Sequence, residues 1–424
     1  MNETGDSVMD DAATPGTWIG VVLGVWLSGV FAASLFGKLE GGRESLASLL
    51  LLGVSVVWPF AYFALGRARF VPASMPSLAT AAVVLFGLVS AVSSLFSPIA
   101  LVSTGYVVLT LASLWLALQF NTSLDASAYE RGLKVFAGLT AALLAAFAWY
   151  DYVPGTRLGT GRNILNPNTI ALVATSVVLA AMVIKTWVVR LIIMAPVAVI
   201  IVLTSSRAAA IAVTAGLAMI VWLRLRASGR TVLVSVLAVL LTLALAITFY
   251  GEEIFRSLDR VYALSTADRG IGSGASGRLA AWTGTWDLFV HNPAVGVGFR
   301  AHEHLLKTDT SAHNGYLATL AEIGLIGFAA VVYLVGRALR GWWRAAHDSE
   351  STPHASVLFG LCVGYLLLAL FERYLINVGN PTSLLFLLCL MQPAAQEVEY
   401  RDDEIWASSD DEPLTDVLPG VSRA

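Results

Sequence analysis

Residues 168–225 read NTIALVATSVVLAAMVIKTWVVRLIIMAPVAVIIVLTSSRAAAIAVTAGLAMIVWLRL. Three apolar runs, 168–186, 188–204 and 207–225, follow one another here. Lys185, Arg190, Arg207 and Arg224 all fall at or near the ends of these runs. A helix rises about 1.5 Å per residue, so about 20 apolar residues cross the roughly 30 Å hydrocarbon core of a bilayer. Three consecutive runs of that length, joined by a few residues each, predict three antiparallel membrane helices.

The same pattern extends outward over most of the chain. Spans are expected at 17–37, 45–65, 77–96, 98–119, 132–150, 168–186, 188–204, 207–225, 231–250, 317–338, 354–372 and 380–393. Composition agrees: of 424 residues, 57% are hydrophobic and 13% charged, about half the charged fraction of a soluble domain. Mean hydropathy is +0.74. The net charge of −3 with no basic stripe excludes a nucleic-acid partner. Cys362 and Cys389 both lie in apolar runs and read as small buried hydrophobes. The segment before the first run is acidic (Glu3, Asp6, Asp10, Asp11), unlike the basic start of a secretory signal, so that run is expected to be retained as a helix.

Twelve spans put both termini on one side. In that scheme the short loops on the termini's side carry 12 basic residues, among them Arg131, Lys185, Arg224 and Arg340, against 6 on the other side. Positive residues favour the cytoplasm, so both termini are expected there. The chain then divides into a cytoplasmic N-terminal tail (1–16), nine membrane helices (17–250), a large extracytoplasmic loop (251–316), three more helices (317–393) and an acidic, disordered cytoplasmic tail (394–424).

The large loop is where chemistry is expected. It holds four of the six histidines (His291, His302, His304, His313) and six basic residues (Arg256, Arg260, Arg269, Arg278, Arg300, Lys307). Residues 268–277, DRGIGSGASG, could cradle a phosphate with backbone N–H groups but carry no Walker lysine, and read as a flexible connector. Residues 276–290, SGRLAAWTGTWDLFV, place Leu279, Trp282, Trp286 and Phe289 on one helical face, with Ser276 as N-cap. Tryptophans on one face suit a membrane–water interface, which sets Arg278 at headgroup level. Pro293, Gly296 and Gly298 then break and turn the chain, and His313–Asn314 stand just before it re-enters the membrane. Arg207, between two apolar runs, is costly at that depth unless it meets a partner or a polar cavity. By topology it shares a side with His313, Arg157, Arg162 and the Asn166-Pro167-Asn168 turn.

These stretches resemble the O-antigen ligase/polymerase (Wzy-C-like) superfamily of membrane glycosyltransferases. The resemblance is carried by Arg278–Trp282, HNPAVGVGF (291–299), AHNGYL (312–317) and AEIGLIGF (321–328), with SSRAA around Arg207 and RLGTGRNILNPN (157–168) in support. It implies an all-α, GT-C-like polytopic enzyme of about 12 helices with a large helical extracytoplasmic loop, acting at the outer face of a bacterial cytoplasmic membrane. The implied donor is a glycan on an isoprenoid (undecaprenyl-type) diphosphate. The acceptor is a lipid, a protein or another glycan, no cofactor or metal is needed, and a chain-length or assembly partner is possible. The family's arginines and loop histidine map onto Arg207, Arg278 and His313. The chemistry fits: a neutral imidazole can take a hydroxyl proton, and arginine forks can hold the charge of a diphosphate. Arg157, Arg162, Arg300 and Asn314 are the expected substrate-binding residues, Asn314 by orienting His313.

Two other readings stay open on the sequence. His302, His304 and His313 with Glu303 or Asp309 could ligate zinc in a metal-dependent enzyme. A transporter or flippase would show ionisable residues at mid-membrane or broken helices in repeated halves. The polar residues concentrate in one outer loop instead, and Glu322 and Glu372 are expected near helix ends. A non-catalytic scaffold is the third alternative.

Overall fold

A computed structural model of the protein describes residues 15–39, 51, 53–65, 75–162, 164–225, 253, 256–259, 261–262, 265, 278–306, 311–347, 353–373 and 375–392. Among them there is no strand. The helices are α1 (Pro15–Leu39), α2 (Trp58–Leu65, entered through a π-helical turn at Gly53–Val57), α3 (Ser77–Leu95), α4 (Ala100–Ser123), α5 (Ala126–Asp151), α6 (Pro167–Ala181), α7 (Trp187–Leu203), α8 (Arg207–Leu225), α9 (Arg278–His291), α10 (His302–Leu305), α11 (Gly315–Ala345), α12 (Pro353–Leu368) and α13 (Pro381–Leu390).

Among the described residues six helices (α1, α3, α4, α5, α8 and α11) are long and apolar enough to cross a membrane. Five further apolar helices stand where spans were expected but run only 10–17 residues. The span expected at 231–250 and the acidic tail lie outside the described residues. Caps fix two of the helix starts, while α6 loses its length at the other end, at Ala181. Asn166 and Asn380 each accept a backbone N–H from the first turn, with Pro167 and Pro381 next in the chain. The expected span 354–372 closes at Leu368, leaving Glu372 in a loop. The expected span 317–338 runs on to Ala345, so Arg337, Arg340 and Arg344 extend from its last turns.

The outside of the bundle is apolar: Trp149, Leu101 and Phe96 are 91%, 88% and 81% exposed. Such a surface is stable against lipid and not against water. Two of the short helices, α6 and α13, sit inside. Every residue of α6 from Ile170 to Ala181 is buried, as is all of α13; a helix apolar all round belongs in a core. Small residues let backbones approach closely. α8 meets α12 at Gly216 and Gly360, where a Cβ on either would stand 2.9 or 2.8 Å from the other's carbonyl oxygen. Buried hydroxyl and amide groups tie the rest: Ser28–Thr140 at 3.0 Å, Ser176–Thr382 at 3.0 Å, and the Asn121 amide donating to the carbonyls of Leu388 and Met391 at the end of α13. Both cysteines are free and buried, as expected.

Contacts sort the loops into two ends of the bundle. At one end the Leu158 amide donates to Leu203, Gly315 to Ala369, and the Arg300 guanidinium to Asn377. Ser93, in the last turn of α3, donates to the Glu322 carbonyl. At the other end Arg224 donates to the carbonyls of Met182 and Pro353, and Tyr129 stacks on His354. These are the two loop sets the alternation of spans predicts.

Substituting Gly216→Leu or Gly360→Leu drives a side chain into a facing carbonyl. Overpacking of this kind costs about 1–3 kcal/mol. The expected outcome is a lower unfolding temperature of the purified protein for both variants. Gly105→Leu, where a Cβ meets open space, should stay near the wild type.

Candidate functional site

Arg207 is set by the turn before it. Ser205 takes a left-handed φ of 51°, and Ser206 accepts the Ala209 amide at 3.4 Å, so α8 opens with Arg207 as its first residue. Arg157 brackets this turn from outside: its Nε and Nη2 donate to the Thr204 carbonyl at 2.9 and 2.7 Å. Arg157 is thus engaged in holding the turn that presents Arg207. Arg162 is exposed, its guanidinium 4.1 Å from the centroid of the Tyr150 ring.

The described part of α9 opens at Arg278; Ser276, its expected cap, lies outside the described residues, as does the connector 268–277. The face expected to be apolar is partly open: Leu279 is 59% and Trp286 50% exposed, with Trp286 against Phe289. Ala281 and Thr285 are buried on the inward side. Trp282 is turned to structural use, its Nε1 donating to the Ala312 carbonyl at 2.6 Å. That bond joins α9 to the residue preceding His313.

His313 stands at a left-handed φ of 43°. Asn314 caps α11, its side-chain oxygen accepting the Leu317 amide at 3.1 Å. The oxygen of Asn314 is therefore spent on the helix, and its effect on His313 runs through the backbone. Nδ1 of His313 is buried without a hydrogen-bond partner.

HNPAVGVGF and AEIGLIGF meet in one construction. α11 breaks at Gly324 (φ 64°, ψ −172°). The freed carbonyls of Ala321 and Glu322 accept the amides of Val297 and Gly298 at 3.0 and 3.1 Å, while Leu325 and Ile326 donate back to Pro293 and Ala294. A Cβ at Gly296 or Gly324 would collide with the other strand's backbone. The segment then delivers Arg300 (φ 64°), whose Nη2 donates to Asn377 at 2.9 Å with its guanidinium 4.6 Å from the Tyr106 centroid. His302, fully buried, follows with its Nδ1 2.6 Å from Glu322 Oε1.

The three residues expected to act together do converge. Arg278 lies within electrostatic reach of Arg207, and His313 within reach of Arg278. Burial holds the His313 imidazole down at about 4, reinforced by Arg278 and Arg373 and opposed by Glu303. Burial also lowers the Arg278 guanidinium, with Glu372 opposing and Arg207 adding to it. Glu372 was not among the expected site residues. Its carboxyl is pushed up to about 7 by burial, against the pull of Arg278 and Arg373. Arg373 pairs with Glu303 at 3.0 Å. Nothing in the local sequence marks Glu372; only the early end of α12 brings it here. Among the described residues no three of His, Cys, Asp and Glu stand together as a metal-holding group, so the zinc reading finds no ligand set there; Asp309 lies outside them. His304 is exposed, and His291 bonds back to the Asp287 carbonyl.

Residues 191–332 match the Wzy_C family model, O-antigen ligase. The match runs from within α7 to the middle of α11, so the matched segment contains Arg207, Arg278, Arg300, His302, His313, Asn314 and Glu322. It leaves out Arg157, Arg162, Glu372 and Arg373. The resemblance read from the motifs is thus shown over the part of the chain that holds the site. No curated protein matches the chain.

The histidine environment is directly measurable. His313 should titrate near 4 instead of its ordinary 6.5, followed by the imidazole proton shifts of histidine-labelled protein in nanodiscs. Arg278→Gln removes a charge that disfavours imidazolium, so the titration should move up. Between about 6.5 and 4 the unfolded chain binds a proton here that the folded chain refuses, so this residue lowers stability as pH falls through that window. Titration of His313 near 6.5 in the wild type would overturn the desolvated placement.

Proposed function

We propose that the protein is a membrane glycosyltransferase of the O-antigen ligase/polymerase type. It moves a glycan from an isoprenoid diphosphate to a lipid, protein or glycan acceptor. The observation that carries the reading is the convergence of Arg207, Arg278 and a desolvated His313 at one end of an apolar bundle.

In this mechanism the diphosphate of the donor lies between the two guanidinium groups. Arg207 stands at the start of α8, where the N–H groups of the first turn add positive potential. Charge that builds on the leaving phosphate oxygen as the bond to the sugar's anomeric carbon breaks is held by these fixed groups. His313, neutral at ordinary pH and with an unpartnered Nδ1, takes the proton of the acceptor hydroxyl as its oxygen attacks the same carbon from the opposite face. The stereochemistry inverts, and the chain supplies the required charges from its own side chains. Arg157 holds the Arg207 turn, and Arg300 and Arg162 are set to meet the glycan or its carrier.

Twelve spans of GT-C-like arrangement, with both termini cytoplasmic and the 251–316 loop outside, complete the proposal. The two loop ends and the excess of basic residues at the end opposite the site support that orientation. The open face of α9 (Leu279, Trp286) then rests in the membrane interface, level with the donor's headgroup.

The test is transfer from an isoprenoid-diphosphate oligosaccharide to candidate acceptors by protein in nanodiscs, followed by mass spectrometry of the product and of released lipid diphosphate. His313→Ala is expected to slow transfer by about 10²–10⁴-fold, and Arg207→Ala with Arg278→Ala by at least about 10²-fold. Undiminished transfer by the double arginine variant would remove the diphosphate role.

A further inference from the structure

The mechanism above leaves one buried polar pair unused. His302 is 0% and Glu322 2% exposed, and they meet at 2.6 Å. Two polar side chains withdrawn this completely cost desolvation, and apolar residues of similar volume often do as well or better for stability. Packing alone is a poor reason for them.

Their position gives a better one. Glu322 lies just before the α11 break, its carbonyl accepting from Ser93 Oγ at 2.6 Å and from the Gly298 amide at 3.1 Å. Its side chain points instead to the short helix α10. There His302 is followed by Glu303, which pairs with Arg373. His302, Glu303 and Arg373 all lie within electrostatic reach of His313. His313 itself precedes the cap of the same helix that carries Glu322. One side chain of α11 therefore ties down α10, which carries Glu303.

We propose that Glu322 is a positioning residue: by holding His302 it fixes 301–306, and with it the Glu303–Arg373 pair, and so sets the pose of the His313 imidazole. The role rests on the transferase reading of His313, but the seating does not, and the two can be tested apart.

Glu322→Leu removes the bond to His302 while keeping a side chain of similar reach. Glu322→Gln keeps an acceptor oxygen for His302. Misplacement of a reacting group by about 1 Å costs up to about 10²-fold in rate. In steady-state transfer, Glu322→Leu is expected to lower kcat per folded protein at least about tenfold with donor KM within about twofold, with a lower unfolding temperature because His302 is left buried without its partner. Glu322→Gln should recover most of the rate. A kcat loss that only follows the folded fraction, or a Gln variant as slow as Leu, overturns the proposal. Independently of any activity, carbethoxylation with diethyl pyrocarbonate, read by peptide mass spectrometry, reports each histidine. Both His302 and His313 should react several-fold faster in Glu322→Leu, with His291 and His347 unchanged. Acceleration at His302 alone, or at neither, overturns it. Should the wild type transfer no glycan to any acceptor, the transferase reading fails and the labelling result still decides whether Glu322 seats His313.

Discussion

Backbone N–H and C=O groups inside a membrane protein must find protein partners, because the hydrocarbon offers none. At Gly324 α11 gives up its own hydrogen bonds, and residues 293–298 supply the missing partners, two donated and two accepted. The rest of the site follows from this exchange. A loop that would otherwise hang from the bundle becomes part of a span's bonding. The directions of Arg300 and His302 are then set by the backbone. The arrangement needs glycine at 296 and 324, where a side chain would strike the opposing backbone.

Charge is the second constraint. Arg278 and Arg373 lie within electrostatic reach of His313, and Arg207 within reach of Arg278; among the described residues Glu303 and Glu372 oppose them. Burial is the larger cause of the depressed titration of His313, and the neighbouring guanidinium groups add to it. On the transferase reading one burial serves two purposes: it keeps the base neutral and it strengthens the hold on an anionic leaving group. A carboxyl poised near neutrality at Glu372 moderates the excess while the site holds no anion.

Much of the bundle was legible in the sequence because lipid imposes a simple demand, length and apolarity, that any run of residues shows. Even so, α6 stops at Ala181, short of the expected end at 186, because burial inside the bundle is decided by neighbours. Arg207, Arg278 and His313 were readable together because motif resemblance and loop alternation both put them at one boundary. Asn314 also caps α11 with its side-chain oxygen, a use that its residue type equally allows. Arg157 likewise spends two of its nitrogens on Thr204. Glu372 and the His302–Glu322 pair were invisible as site elements because their partners are distant in the chain, and no spacing rule joins a carboxylate to a guanidinium across separate helices.

The site is also divided in origin. The segment that matches the O-antigen ligase model supplies Arg207, Arg278, His313 and the broken helix. Residues beyond it supply Glu372 and Arg373 after α12, Asn377 before α13, Tyr106 from α4 and the Arg157 brace. On the transferase reading the first set holds the anion and takes the proton. The second touches the first mostly through charge and hydrogen bonds to its arginines, so it acts on how strongly those groups are charged and where they point. On that reading chemistry and tuning sit on different stretches of chain, joined because α12 ends and α13 begins at the end of the bundle that holds the break in α11.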